Sequence, residues 1–151
     1  MNPSRIQRGE TVAAVGGILL GIALFLIAYE PSSNPNAVIA GAREAVTAWE
    51  IHNILRWVLL ATAIAPIVLL YIVMRDHQLS WPRGELTAVL GIFALGLIFY
   101  NGVLDRPGEP SGQISLGIGW YAMLLGALLI IVGGTMRAGE SERRRKPPGV
   151  L

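Results

Sequence analysis

The sequence contains no cysteine, a single lysine and few charged residues of either sign. Without cysteine, the chain can have no disulfide framework, no iron–sulfur cluster, no thiolate zinc site and no cysteine nucleophile. Charged residues make up 15% of the 151 residues and hydrophobic residues 53%, whereas a soluble domain has about 25% charged residues. This deficit indicates a membrane protein, and the length fits a single domain.

Four long apolar runs predict four membrane-spanning helices, at about residues 11–29, 54–74, 86–104 and 114–136. The first run has no charge from Thr11 to Tyr29, and at 1.5 Å per residue it reaches about 28 Å, close to the thickness of the hydrocarbon layer. A cleaved signal peptide is the alternative for this run. Its only A-x-A-like triplet, Ala40–Ala42, lies far beyond the run, which favours an uncleaved span.

The connections between the spans are short, which predicts antiparallel neighbours. The longest connection has apolar residues near helical spacing from Val38 to Trp49, which indicates a short interfacial helix or an outward extension of the second span. The sequence therefore predicts an all-α membrane protein, an up-down-up-down four-transmembrane-helix bundle with a short outer interfacial helix. Residues 137–151 are expected to form a disordered cytoplasmic tail.

The distribution of basic residues predicts the orientation of the chain. Nine of the twelve lysines and arginines lie on the side that holds both termini, and only Arg43, Arg56 and Arg106 lie on the other side. The positive-inside rule therefore places both termini in the cytoplasm, as expected for a multi-pass protein of the plasma membrane. In the tail, Arg143, Arg144, Arg145 and Lys146 are expected to attract anionic lipid headgroups or simply to anchor the topology. This basic cluster is short and has no interleaved aromatic residues, so nucleic acid is not a predicted partner.

Small residues indicate where the helices pack, because helices in a bilayer associate through close contact at such positions. The packing positions lie on three spans, and they are Ala13, Gly17, Gly21, Gly91, Gly96, Gly119 and Gly126. Such faces can join helices of one chain or of two chains, and packing within the chain is favoured because a bundle needs these faces in any case.

Polar side chains are expected to meet at the outer end of the bundle. On a helix, Trp49, His52 and Arg56 share one face, and the predicted topology brings polar residues of the first and third spans to the same level. The resulting vestibule consists of Glu30, Glu50, His52, Arg56, Asn101 and Asp105. It is either a binding site for a polar ligand or ion, with His52 titrating near neutral pH, or a structural closure in which Arg56 pairs with Asp105 or Glu50.

No catalytic or metal-binding constellation accompanies this vestibule. His52 with nearby carboxylates lacks the usual ligand spacing of a metal site, and the other histidine, His77, is predicted on the opposite side of the membrane. A serine nucleophile has no credible base partner. The sequence therefore predicts no enzyme activity, no metal and no cofactor.

Four stretches of the chain form one recognisable pattern: Phe25–Glu30, Trp49-Glu50, Tyr100–Gly108 and the glycine-rich fourth span from Leu116. In this pattern the chain resembles the small four-span membrane proteins of actinobacteria. The chain differs at Ile27-Ala28, where a Pro-Trp pair would be typical. The resemblance implies a four-span fold and no particular activity.

The leading functional hypothesis is a structural or accessory subunit of a membrane assembly, whose partners are the lipid bilayer and other membrane proteins or a second copy of the chain. The alternative is a small transporter or a ligand or pH sensor, which would use the outer vestibule around His52 and Arg56 and the proline-bearing second span.

Overall fold

The structure, a computed structural model, describes residues 7–75 and 83–145 and is mostly helical. The long helices are α1 (Arg8–Ala23), α3 (Leu55–Met74), α4 (Arg83–Phe99) and α5 (Ile118–Arg145), and α2 is a single turn, Ala48–Ile51. A π-helical turn, Tyr100–Leu104, continues α4, and a 3₁₀ turn covers Ser111–Gln113. Three short strands, β1 (Ile27–Pro31), β2 (Val46–Thr47) and β3 (Ile114–Leu116), complete the described fold.

Three helical segments of the described chain are long and apolar enough to cross a membrane. They are Leu55–Met74, Gly84–Leu104 and Ile118–Glu140, with mean hydropathies of 2.5, 2.0 and 1.9. Large apolar side chains cover their outward surfaces, among them Phe93, Leu125 and Leu128. Exposed apolar belts of this kind suit helices that face lipid tails rather than water.

Glycines and alanines let the helices approach each other closely. A Cβ atom built on Gly16 would lie 2.7 Å from the carbonyl oxygen of Gly126, and one on Gly133 would lie 2.4 Å from the amide nitrogen of Ala13. Since low-numbered residues of α1 meet high-numbered residues of α5, these two helices run antiparallel. Gly17 packs in the same way against α3, where its Cβ would lie 2.3 Å from the carbonyl oxygen of Ala63.

The predicted packing residues divide into two groups in the structure. Five lie in tight contacts between segments or are buried there, namely Ala13, Gly17, Gly91, Gly119 and Gly126. A Cβ atom on Gly21 would meet only the Cβ atom of Ala63, at 3.8 Å, and one on Gly96 would meet no atom within 4 Å. Gly96 lies on the exposed face of α4, so it is not a packing position between the described helices of one chain, and packing against a second chain stays a prediction.

The three strands form an antiparallel sheet in which β1 is central and lies between β2 and β3. Ile27 pairs with Thr47, and Tyr29 pairs with Leu116. The predicted helix through Tyr29 is thus wrong beyond Ala23, where α1 ends. The residues that follow are rich in aromatic and branched side chains that suit a strand, and segments distant in sequence supply the hydrogen bonds of that strand.

The predicted interfacial helix over Val38–Trp49 is also mostly wrong. Val38 pairs with Glu109 in an isolated bridge, and Gly41 turns the chain with a φ of +81°. Only Ala48–Ile51 is helical, and a capping box starts this turn, because the Thr47 hydroxyl accepts from the Glu50 amide while the Glu50 carboxylate accepts from the Thr47 amide.

Two further boundaries differ from the prediction near the last helix. Residues 114–116 belong to β3, so the helix begins at Ile118 instead of Ile114. At its other end, α5 continues to Arg145, which corrects the expectation of disorder from residue 137 onward. Of the basic tail cluster, Arg143, Arg144 and Arg145 therefore end this helix, and Lys146 lies outside the described residues.

Candidate functional site

Tyr29 lies at the centre of the polar cluster at the sheet end of the molecule. Its hydroxyl oxygen lies 3.2 Å from Nε2 of His52 and donates to the carbonyl oxygen of Asn101 at 3.4 Å. Only 1% of the Tyr29 surface is exposed, and its ring meets the His52 ring edge-on. One side chain of β1 thereby joins the segment between α2 and α3 to the π-helical turn after α4.

Three of the predicted vestibule residues meet around this tyrosine. His52 and Asn101 contact it directly, and the Asn101 side-chain amide donates to the carbonyl oxygen of Leu97 at 2.9 Å. Asp105 completes the group through its charge, which acts on His52.

Burial sets the protonation states of this cluster. It lowers the pKa of His52 below its usual value, and the nearby Asp105 carboxylate opposes that shift only in part. Burial also raises the pKa of Tyr29 to about 12, with a smaller opposing effect from the Arg106 charge. Both shifts favour the neutral forms, so the ring and the phenol meet as an uncharged pair near neutral pH.

The other three predicted residues lie apart from this cluster. Glu50 caps α2, and its hydrogen bonds from Thr47 lower the pKa of the exposed carboxyl. Glu30 is exposed on β1. Arg56 donates from Nη1 to the carbonyl oxygen of Trp49 at 3.2 Å, and it does not form the expected pair with Asp105 or Glu50.

Two residues of this end that sequence reasoning missed are Arg106 and Trp120. Arg106 donates from Nε to the carbonyl oxygen of Gly102 at 2.8 Å and from Nη1 to that of Ile114. The buried Trp120 donates from Nε1 to the carbonyl oxygen of Ile98 at 3.1 Å. Both side chains satisfy backbone groups at helix and strand ends, a role that sequence spacing does not show.

A second polar group lies at the opposite end of the helices, and sequence reasoning missed it as well. Glu10 of α1 forms an ion pair with Arg137 of α5, and their side chains are 5% and 16% exposed. The other carboxylate oxygen of Glu10 accepts from the Gln7 amide at 3.1 Å. The only available signal was two opposite charges predicted at the same end of two apolar runs.

A small cleft, which leaves about 20 Å³ for the centres of water-sized molecules, lies beside this ion pair. All four long helices line it. The lining residues are Gly9, Glu10, Ala13, Pro66, Leu69, Leu70, Thr87, Gly133, Gly134 and Arg137. Apart from Glu10, Thr87 and Arg137 the walls are apolar, so the charged pair forms one polar end of a mainly apolar cleft. Across residues 7–75 and 83–145, no three His, Asp or Glu side chains are grouped to hold a metal ion.

The described fold is mostly helical, and three of its segments are long and apolar enough to cross a bilayer, which suggests a multi-pass membrane protein. No family model matches the chain, and no curated protein or solved structure matches it either. The likeness to small four-span proteins of actinobacteria therefore stays a prediction.

Proposed function

We propose that the chain is an up-down-up-down four-helix bundle of the plasma membrane that serves as a structural or accessory subunit of a larger membrane assembly. In this proposal α1 is the fourth span, because it packs antiparallel to α5 through glycine contacts. Both termini lie in the cytoplasm, so the sheet faces outward and the Glu10–Arg137 pair faces inward.

The observation that carries the proposal is that polar side chains at the outer end bond to backbone groups of the chain itself. The phenol of Tyr29, the amide of Asn101, the guanidinium groups of Arg56 and Arg106 and the indole of Trp120 each donate to a backbone carbonyl oxygen. Side chains that satisfy backbone groups hold segments together and leave fewer donors for a substrate. This pattern favours a structural role for the outer cluster over a binding vestibule.

A specific observation supports the alternative, a small transporter or sensor. The inner cleft lies between all four long helices, and it combines an ion pair with the proline of α3. Ionisable groups that face the interior of a helical bundle often mark a transport path. In this alternative Pro66 would allow α3 to bend, and the outer cluster would act as the closed gate.

Topology can be tested cleanly because the chain has no cysteine of its own. We expect a Ser33→Cys variant to react with a membrane-impermeant maleimide in intact cells, since Ser33 is exposed on the sheet side. A Gly139→Cys variant should react only after the membrane is opened, since Gly139 is exposed near the other end of α5. The reverse pattern would contradict the orientation.

The accessory role is tested by the mass of the protein after extraction from native membranes in mild detergent. We expect a complex larger than one chain, and the same chain expressed alone in a foreign membrane provides the control. A solitary monomer from both sources would contradict the role, and loss of a transported solute on Glu10→Gln substitution would favour the alternative.

A further inference from the structure

Arg56 is a cation without a matching anion in the described part of the chain. It lies in the first turn of α3, half-buried, and Nη1 bonds only to the uncharged carbonyl oxygen of Trp49. The buried Nε atom has no hydrogen-bond acceptor. Among the carboxylates whose side chains the structure describes, none forms an ion pair with this guanidinium.

Aromatic rings hold the guanidinium in place on two sides. Its central carbon lies 5.2 Å from the ring centre of Trp49 and 5.7 Å from that of Trp57. Cation–π contacts of this length fix the position of the charge without neutralising it. A half-buried charge is costly unless it is paired, so the arrangement favours an anion from outside the chain.

The surface around Arg56 is apolar and exposed. Ile54 is 81% exposed, and Trp57 and Phe25 are each 56% exposed. The rings are continuous, since the Trp49 ring centre lies 5.0 Å from that of Phe25 in a tilted contact and 5.2 Å from that of Trp57 in an edge-on contact. Tryptophan side chains of this kind favour the headgroup level of a membrane. An anion that reaches Arg56 would therefore stand at the top of an apolar surface.

A guanidinium has five N–H donors and binds phosphate oxygens in pairs. A free phosphate would satisfy the charge but would leave the apolar surface bare, whereas a phospholipid satisfies both. We propose that Arg56 binds the phosphate of an outer-leaflet phospholipid, with an acyl chain packed along Trp57 and Ile64, which are exposed on α3 on the membrane side of Arg56. The assignment to the outer leaflet rests on the proposed topology, whereas the binding chemistry does not.

The test is native mass spectrometry of the full chain in detergent, titrated with dioleoyl phosphatidylglycerol. We expect the wild-type chain to retain the lipid and Arg56→Gln to retain it at least tenfold more weakly. Arg43→Gln is the matched control, because it removes the same charge from an exposed position of the loop before β2 and leaves the ring contacts of Arg56 in place. Circular dichroism checks that each variant is folded.

Further arms of the experiment separate the sources of phosphate and cover a folding failure. Inorganic phosphate and glycerol phosphate are added as competitors, and displacement of the lipid by either at an equal concentration would overturn the lipid assignment. Equal retention by Arg56→Gln and Arg43→Gln would overturn the proposal as a whole.

If Arg56→Gln does not fold, lipid retention is measured for Arg56→Lys instead. An ammonium group cannot bind two phosphate oxygens side by side as a guanidinium does, so at least threefold weaker retention is expected, and unchanged retention contradicts the proposal. Absence of lipid binding in detergent would not affect the maleimide labelling in intact cells, so the two proposals can fail separately.

Discussion

Replacing Gly126 with alanine is expected to destabilise the protein, whereas the same change at Gly96 is expected to be neutral or stabilising. Both residues lie inside long helices, α5 and α4, so the change in backbone entropy is matched. Their surroundings differ. A Cβ atom on Gly126 would lie 2.8 Å from the amide nitrogen of Leu20 and 3.0 Å from the carbonyl oxygen of Gly16, whereas one on Gly96 meets no atom within 4 Å.

The magnitude follows from these distances. Non-bonded atoms prefer separations of about 3.5–4.0 Å, so the new methyl group at Gly126 is short of contact distance by roughly 0.7 Å against α1 backbone atoms. Backbone atoms of a helix move only with the whole helix, and overpacking of this kind costs about 1–3 kcal/mol. Alanine gains about 0.5–1 kcal/mol over glycine in a helix interior. The two variants should therefore differ in free energy of unfolding by about 1–3 kcal/mol.

The assay is equilibrium unfolding in mixed micelles, followed by circular dichroism for the wild type and the two variants. The difference between Gly126→Ala and Gly96→Ala cancels the common gain in helix propensity. Equal stability of the two variants, or a more stable Gly126→Ala protein, would refute the close packing of α1 on α5.

Three other perturbations test the two polar groups. Glu10→Gln should lower the free energy of unfolding by about 3 kcal/mol, because it removes the buried carboxylate that pairs with the Arg137 guanidinium; denaturant titration measures this. Because burial lowers the pKa of His52, the unfolded chain binds the proton more readily. Stability should be full above about pH 6.5 and fall below it, as seen in melting temperatures at about pH 7.5 and 5.5. Because the pKa of Tyr29 is about 12 in the folded chain, stability should be full below about pH 10 and decline above it, and Tyr29→Phe should remove that decline.

Each of these three predictions has its own control. Glu85→Gln removes an exposed carboxylate from the first turn of α4, at the same end of the helices, and a loss as large as that of Glu10→Gln would count against the ion pair. His52→Gln should flatten the acid branch of the pH profile, and an unchanged branch would assign it to another group. A Tyr100→Phe variant changes an exposed phenol, so it should keep the alkaline decline that Tyr29→Phe loses.

The sequence predicts the long helices well where apolar residues continue without interruption. Helix α3, Leu55–Met74, lies within one residue of the predicted 54–74. The prediction is wrong where one apolar run contains both a helix and a strand, as in α1 and β1. Residues 27–31 follow directly on an apolar run, and they form a strand only because β2 and β3, which begin at residues 46 and 114, pair with them. Such distant pairing leaves no periodic signal in the run itself.

Sequence reasoning predicts which polar residues lie at the outer end of the bundle, but not which side chains contact each other there. His52, Asn101 and Asp105 were placed at the same end because topology alone brings span ends together. The central role of Tyr29 depends on β1, so it could not follow from a helical interpretation. Gly96 and Gly17 look alike in sequence, and only the packing of the other helices decides which of them faces a neighbour.

The shortness of α1 has a consequence for how the molecule is made. Its 16 residues rise about 24 Å, less than the roughly 30 Å of a hydrocarbon layer. In the proposed orientation, the non-helical backbone after Ala23 spans the rest of the hydrocarbon layer. In this segment the carbonyl oxygen of Leu24 accepts from the Trp49 amide, and that of Ala28 accepts from the Gly117 amide. Those donors are synthesised later, the second of them near the last helix. In the proposed orientation, two hydrogen bonds of the first crossing therefore form only after Trp49 and Gly117 have been synthesised.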